Sequence, residues 1–141
     1  MICKILLSIV LTLVIIFVVP FPVYGLFSVA GLVETPEDAA VAAFMLGVLV
    51  SKVGTAIGFV LLFYAARSVF SDRWMTYAFL WWLMSAIHEV GQSIGPGYAW
   101  MEGIAGIISE TVYFPLAAFV TCRLLGAAVG SGVNHPVSDH L

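Results

Sequence analysis

The chain has 141 residues, of which 62% are hydrophobic and 9% are charged, with a mean hydropathy of +1.12 and a formal net charge of −3. A soluble domain carries about 25% charged residues on average, so this composition excludes an ordinary soluble protein and indicates an integral membrane protein. The sequence contains no run of basic residues. We therefore expect the lipid bilayer, and no nucleic acid, as a partner.

Four stretches have the length of about 20 mostly apolar residues that a bilayer core requires. In chain order, the predicted spans cover residues 5–26, 38–67, 74–94 and 103–125. Pro20 and Pro22 interrupt the first of them. The second begins at Thr35, a good N-cap, which is followed by Pro36 and then by acidic residues. The third ends at the turn signal Gly95-Pro96-Gly97.

These stretches predict an all-α fold, an integral membrane four-helix bundle over residues 1–126, with a polar mobile tail over residues 127–141. The orientation follows from the basic residues that flank the spans. All of them fall on one side of the membrane in this arrangement: Lys4, Arg67, Arg73 and Arg123. The two remaining loops contain no Lys or Arg. We expect both termini in the cytoplasm, in a multi-pass protein of the cell membrane.

The first span has a second interpretation. Lys4, the apolar stretch after it and Val23-Tyr24-Gly25 also fit a secretory signal peptide that is cleaved after Gly25. The later spans keep their orientation in either case, because a signal peptide also inserts with its N-terminus inside. Both interpretations stay open at the level of the sequence.

Four ionisable side chains lie inside these apolar spans: Lys52, His88, Glu89 and Glu110. A charge at the centre of a membrane helix costs about 2.5–3.5 kcal/mol on insertion scales, so a partner or a function is expected for it. Counted from the flanking arginine of the same span, Lys52 and His88 lie 15 residues away and Glu110 lies 13 residues away. At a rise of about 1.5 Å per residue these distances are about 22 Å and about 20 Å. Three helices therefore place charged groups at one depth, in the outer half of the bilayer.

The polar residues also recur at helical spacing. On the third span the recurring residues are Ser85, His88, Glu89 and Gln92, and on the fourth they are Gly103, Gly106, Glu110, Tyr113 and Ala117. Small residues at Gly47, Gly54 and Gly58 predict close packing of the second span. Adjacent residues point about 100° apart on a helix. We expect His88 to face inward with Lys52 and Glu110, and Glu89 to lie toward the outer boundary.

The candidate catalytic residues are His88 and Glu110, which can exchange protons. The candidate binding and electrostatic residues are Lys52, Glu89, Gln92 and Tyr113. No motif for a metal or another cofactor is present: His88-Glu89 lacks the second histidine of a zinc-protease helix, and Cys3 and Cys122 have no metal spacing. Neither a metal nor a cofactor is therefore predicted.

Three functions remain open at this stage. The first is a small membrane enzyme or a protein that binds a lipid-like small molecule. The second is a proton- or ion-coupled transporter or channel subunit, since intramembrane charges mark such paths. The third is a structural or accessory subunit in which Lys52 and Glu110 form an ion pair that fixes helix register. A homo-oligomer or a partner membrane subunit is expected with any of them. Whether the protein is an enzyme is left undecided.

Overall fold

A computed structural model of the protein describes residues 1–33 and 38–126. Its helices are α1 (Ile2–Val18), α2 (Pro20–Val29), α3 (Asp38–Ala65), α4 (Arg67–Phe70), α5 (Trp74–Ile94) and α6 (Trp100–Leu125), and the described residues contain no strand. The all-helical prediction is confirmed. The predicted tail and the predicted helix start at Thr35 and Pro36 lie outside the described residues.

Within residues 1–33 and 38–126, three helices are long and apolar enough to cross a membrane: Ile2–Val29, Val41–Ala65 and Trp100–Leu125. They support the prediction of a membrane protein. The first joins α1 and α2, because Val19 keeps right-handed helical angles (φ −59°, ψ −37°) directly before Pro20. Pro20 and Pro22 therefore do not divide this segment, which forms one long apolar helix. α5, with 21 residues and several polar side chains, is not among these three.

The last helix, α6, is the centre of the bundle. Half of its apolar window is buried, against 17% of the window in Ile2–Val29. α6 packs on α5 along its length and on α1 and α2 on another side, while α3 packs mainly on α1. Glycine and alanine on α6 allow this close packing, because small side chains let membrane helices approach each other. Gly103, Gly106, Ala117 and Ala118 are among its buried residues.

An aromatic core fills the half of the bundle nearer to α4. The rings of Phe59 and Tyr77 lie 4.8 Å apart edge to face, and Phe59 stacks on Phe114 at 5.9 Å. The Tyr77 hydroxyl donates a hydrogen bond to the carbonyl of Phe59. These contacts tie α3, α5 and α6 together. Above this core, in the direction of the α5–α6 loop, α3 is largely exposed.

A second buried cluster joins α1 to α6 through hydroxyl groups. Ser8 and Thr12 each lie 3.3 Å from the Oγ1 atom of Thr121, and all three residues are fully buried. Hydroxyl pairs of this kind hold membrane helices at a fixed register. The sequence analysis did not identify this cluster, because single Ser and Thr residues in an apolar helix are common.

The start of α1, the end of α6 and the α3–α5 connection lie at the same end of the bundle. The Tyr64 hydroxyl donates to the sulfur of Met1 at 3.2 Å, and the Cys122 thiol donates to the carbonyl of Ser71 at 3.1 Å. The Arg67 guanidinium lies over the Tyr64 ring, 4.6 Å from its centroid. The flanking basic residues of three helices therefore share this end, and the α5–α6 loop lies at the other.

Candidate functional site

A cavity of about 1130 Å³ lies between the end of α1, α2, α3, α5 and α6, on the side of the α5–α6 loop. Sites for small molecules commonly measure about 300–1,000 Å³, so the space is ample for one. Its apolar wall includes Ile16, Phe17, Phe21, Phe44, Met45 and Val48. Its polar wall includes Lys52, Glu89, Gln92, Tyr98, Glu102, Ser109, Glu110 and Tyr113. An apolar wall with a few converging polar groups is typical of a binding site.

A row of three polar side chains connects α3 to α6 on this wall. The Lys52 Nζ atom donates to the Tyr113 hydroxyl at 3.4 Å, and that hydroxyl donates to Oε1 of Glu110 at 3.4 Å. The ammonium also lies 5.2 Å from the centroid of the Tyr113 ring. Tyr113 therefore stands between the two charged groups, so the predicted link between Lys52 and Glu110 runs through a hydroxyl. Both distances are long for hydrogen bonds, which leaves room for rearrangement.

The second carboxylate oxygen of Glu110 is the exceptional atom of the site. Glu110 is only 4% exposed, and its Oε2 has no hydrogen-bond partner among the described residues. An unpaired buried polar group is costly, and more so when it carries charge. Glu110 also lines the cavity, so its carboxylate borders the space that a bound molecule would occupy, although Oε2 itself is buried.

Glu89 lies in the cavity wall, where α5 and α6 approach most closely. A β-carbon added to Gly106 would lie 2.7 Å from the Glu89 carboxyl carbon. The Tyr98 hydroxyl donates to Oε2 of Glu89 at 2.6 Å. One turn further on, the Ser93 hydroxyl donates to the Glu89 carbonyl and occupies the space beside Gly103. The two glycines of α6 therefore make the room that Glu89 and Ser93 need.

Tyr98 belongs to the α5–α6 loop, outside the helices. Burial, followed by the hydrogen bond to Glu89, raises the pKa of Tyr98 above its ordinary value. The phenol therefore stays protonated and remains a donor to Glu89 at neutral pH. At the start of α6, Oε2 of Glu102 accepts from the Ala99 amide at 3.1 Å, and the Glu102 carbonyl accepts from the Tyr24 hydroxyl at 3.2 Å. These bonds fix the loop over the cavity.

The expected directions of His88 and Glu89 are wrong. His88 is exposed and does not line the cavity, and it is hydrogen-bonded to Gln92 on its own helix. Glu89 takes the inward position that was expected for His88. Since the two residues point about 100° apart, the rotation of α5 alone decides which of them enters the cavity. Gln92 lines the cavity, as does every other candidate except His88.

The small residues of α3 also differ from expectation. A β-carbon at Gly47 or Gly54 would meet nothing within 4 Å, and at Gly58 the nearest atom is on Trp81 at 3.9 Å. Close helix packing is instead found at Gly103 and Gly106 of α6. The α3 glycines therefore border open space, and Gly47 itself lines the cavity.

Tyr98 and Tyr24 are site residues that the sequence analysis missed. An aromatic residue near the end of a membrane helix is an ordinary interfacial residue, and its spacing gives no sign of a partner across the bundle. As for metal ions, the described residues contain no group of three or more His, Cys, Asp or Glu that could hold one.

Comparison with known proteins gave no match to any protein family, curated protein or solved structure. The described residues form an all-helical fold whose three long apolar helices fit a membrane protein, and a half-open, partly polar cavity lies among its helices.

Proposed function

We propose that the protein is a four-span protein of the cell membrane, with both termini in the cytoplasm, that binds a lipid-like molecule in this cavity. The observation that carries the proposal is the buried carboxylate of Glu110, which lies in a largely apolar cavity wall and whose Oε2 lacks a partner among the described residues. A ligand with an apolar body and one polar head fits both properties.

α5 is the fourth span in this proposal. At about 1.5 Å per residue, its 21 residues reach about 31 Å, and a bilayer core is about 30 Å thick. Its inward carboxylate, Glu89, faces protein and is hydrogen-bonded, as is usual for charged residues inside a membrane. The basic residues at the α4 end favour the cytoplasmic side for that end by the positive-inside rule.

The side of the cavity between α2 and α3 supports entry from the bilayer. Phe21 on α2 is 50% exposed and Phe44 on α3 is 56% exposed, and both line the cavity. Apolar rings that line a cavity and are half exposed are typical of the rim of an opening. In the proposed orientation this opening faces lipid hydrocarbon, so an alkyl chain can enter without crossing water.

The polar residues have distinct roles in this proposal. Glu110 accepts a hydrogen bond from the ligand head. Lys52 and Tyr113 form a row that ends on Oε1 of Glu110 and positions its carboxylate. The Lys52 ammonium compensates the negative charge. Glu89 and Tyr98 close the outer end of the cavity. His88 lies outside the cavity and has no role in binding.

The test is binding of a neutral probe, a fluorescent monoacylglycerol, to the protein in phosphatidylcholine nanodiscs. We expect saturable binding by the wild-type protein and at least a tenfold loss in Gly47→Phe, whose ring would fill the cavity at an open position. Gly54→Phe is the matched control, because it lies on the same helix with equally open surroundings but outside the cavity wall. Absence of saturable binding, or equal loss in both variants, contradicts the proposal.

A second candidate function is proton transfer along the row of Lys52, Tyr113 and Glu110. The position of the Tyr113 hydroxyl, 3.4 Å from both neighbours, favours it. It predicts pH-dependent flux in proteoliposomes that Tyr113→Phe and Glu110→Gln both abolish. Flux that is absent, or that is unchanged in these variants, would rule it out.

A further inference from the structure

The charges around the cavity select among the possible heads of a ligand. This step rests on the proposed function, namely that a lipid-like molecule binds here. Among the described residues, three carboxylates line the cavity, those of Glu89, Glu102 and Glu110, against one ammonium, that of Lys52. The wall is therefore acidic by two charges when all four groups are ionised, because three negative groups face one positive group.

Two of the three carboxylates already have strong donors. Oε2 of Glu89 accepts from the Tyr98 hydroxyl at 2.6 Å, and Oε2 of Glu102 accepts from the Ala99 amide at 3.1 Å. Glu110 differs from both. Its only donor among the described residues is Tyr113 at 3.4 Å, and Oε2 has none, although the residue is only 4% exposed. Glu110 is therefore the most buried of these three carboxylates and the one with the longest donor contact, so it gains most from a hydrogen-bond donor on a ligand.

In the described structure, the Lys52 ammonium donates no hydrogen bond to the Glu110 carboxylate. The Lys52 ammonium donates to the Tyr113 hydroxyl and lies over the Tyr113 ring, on the Oε1 side of the row. A ligand with a carboxylate or phosphate head would bring a further negative charge beside Glu110 and Glu89. An ammonium head would compensate them, and charge-assisted bonds of this kind are about twice as strong as neutral ones.

We propose that the cavity binds a single-chain amphiphile whose head is a protonated primary or secondary amine, with an N–H group donating to the Glu110 carboxylate and the chain lying toward Phe21 and Phe44. The amine is preferred to a quaternary ammonium because only the amine has an N–H donor for that carboxylate. A metal cation is a poorer fit, since the described residues provide no group of three ligating side chains.

The experiment is displacement of the fluorescent monoacylglycerol from wild-type protein in phosphatidylcholine nanodiscs, with empty nanodiscs to correct for partitioning. Four competitors share one alkyl chain: dodecylamine, dodecyltrimethylammonium, dodecanol and dodecanoate. We expect dodecylamine to bind at least tenfold more tightly than each of the other three. Equal or tighter binding of dodecanoate or dodecanol overturns the cationic head, and equal binding of the trimethylammonium compound overturns the N–H donor.

A variant locates the amine at Glu110. Glu110→Gln should weaken the binding of dodecylamine at least tenfold more than it weakens the binding of dodecanol, because only the amine loses a charge-assisted bond. Asp72→Asn, which changes an exposed carboxylate at the other end of the bundle, should alter neither affinity. Unchanged dodecylamine affinity in a folded Glu110→Gln protein overturns the assignment. If that variant does not fold, the comparison of the four heads on wild-type protein still decides. Failure of the probe itself to bind contradicts the proposed function instead, so the two failures are distinguishable.

Discussion

The carboxylate of Glu89 on α5 lies directly against Gly106 on α6, so that a β-carbon at Gly106 would come within 2.7 Å of the carboxyl carbon and within 3.0 Å of both oxygens. The absence of a side chain on one helix thus makes the place for a charged side chain on the other. This contact fixes where α5 and α6 meet and keeps Glu89 within 2.6 Å of the Tyr98 hydroxyl.

Gly106→Ala should destabilise the protein. The added methyl group displaces the Glu89 carboxylate from Tyr98, and a hydrogen bond to a charged group is worth about 1.5–3 kcal/mol. Alanine recovers about 1 kcal/mol of helix propensity, so a net loss of about 1 kcal/mol is expected. Unfolding in detergent measures it. Gly91→Ala is the control, since nothing lies within 4 Å of its added carbon, and it should unfold at or above the wild-type temperature. A Gly106→Ala protein as stable as Gly91→Ala would contradict the contact.

Tyr113→Phe should also destabilise the fold, because it removes the hydroxyl that links Lys52 to Glu110. Leaving buried partners unsatisfied costs about 1–3 kcal/mol, measurable as a shift in sodium dodecyl sulfate titration. Tyr64→Phe is the control, since its hydroxyl makes an exposed contact with the sulfur of Met1. Equal stability of the two variants would show that the row makes no contribution.

Lys52 and Glu110 should behave as a coupled pair. Lys52→Leu or Glu110→Leu alone leaves one charge without compensation, for which a loss of about 3–5 kcal/mol is typical at buried pairs. The double variant leaves no such charge and should be more stable than either single variant. Equilibrium unfolding of all four proteins gives the coupling free energy. Additive losses would mean that the two residues act independently despite the intervening hydroxyl.

Thr121→Val should weaken the contact between α1 and α6. Valine keeps the shape of threonine but removes the only hydroxyl shared by Ser8 and Thr12 in the described structure, each at 3.3 Å. A loss of about 1–3 kcal/mol is expected for the unsatisfied buried groups. The same substitution at the exposed Thr76 serves as the control in thermal unfolding. If both variants match the wild-type protein, the cluster is not a structural contact.

Cysteine labelling tests the proposed topology. In a background with Cys3→Ser and Cys122→Ser, single cysteines replace the exposed residues Ser68 and Ala99 at opposite ends of α5. A membrane-impermeant maleimide should label Ala99→Cys on intact cells and Ser68→Cys only after permeabilisation. Labelling of both from the same side would show that α5 does not cross the membrane.

Much of the fold follows from the sequence because it depends on local properties. Apolar length sets how far each helix extends, and the constant rise of a helix converts residue counts into depth. That arithmetic places Lys52 and Glu110 at one level, and the structure brings both to Tyr113. The residue types also show that a cluster of charges must be compensated inside the bundle.

The tertiary structure alone decides which way each helix turns about its axis. A rotation of α5 by about 100° exchanges His88 for Glu89 in the cavity wall, and nothing local to α5 favours either residue for that position. The choice comes from α6, where Gly106 leaves space for a carboxylate, and from Tyr98, which donates to it. The lack of a partner for Oε2 of Glu110 among the described residues likewise depends on residues from other helices. Chain-local chemistry therefore placed the charged residues at one level along their helices, whereas contacts between helices decided which of them enter the cavity wall.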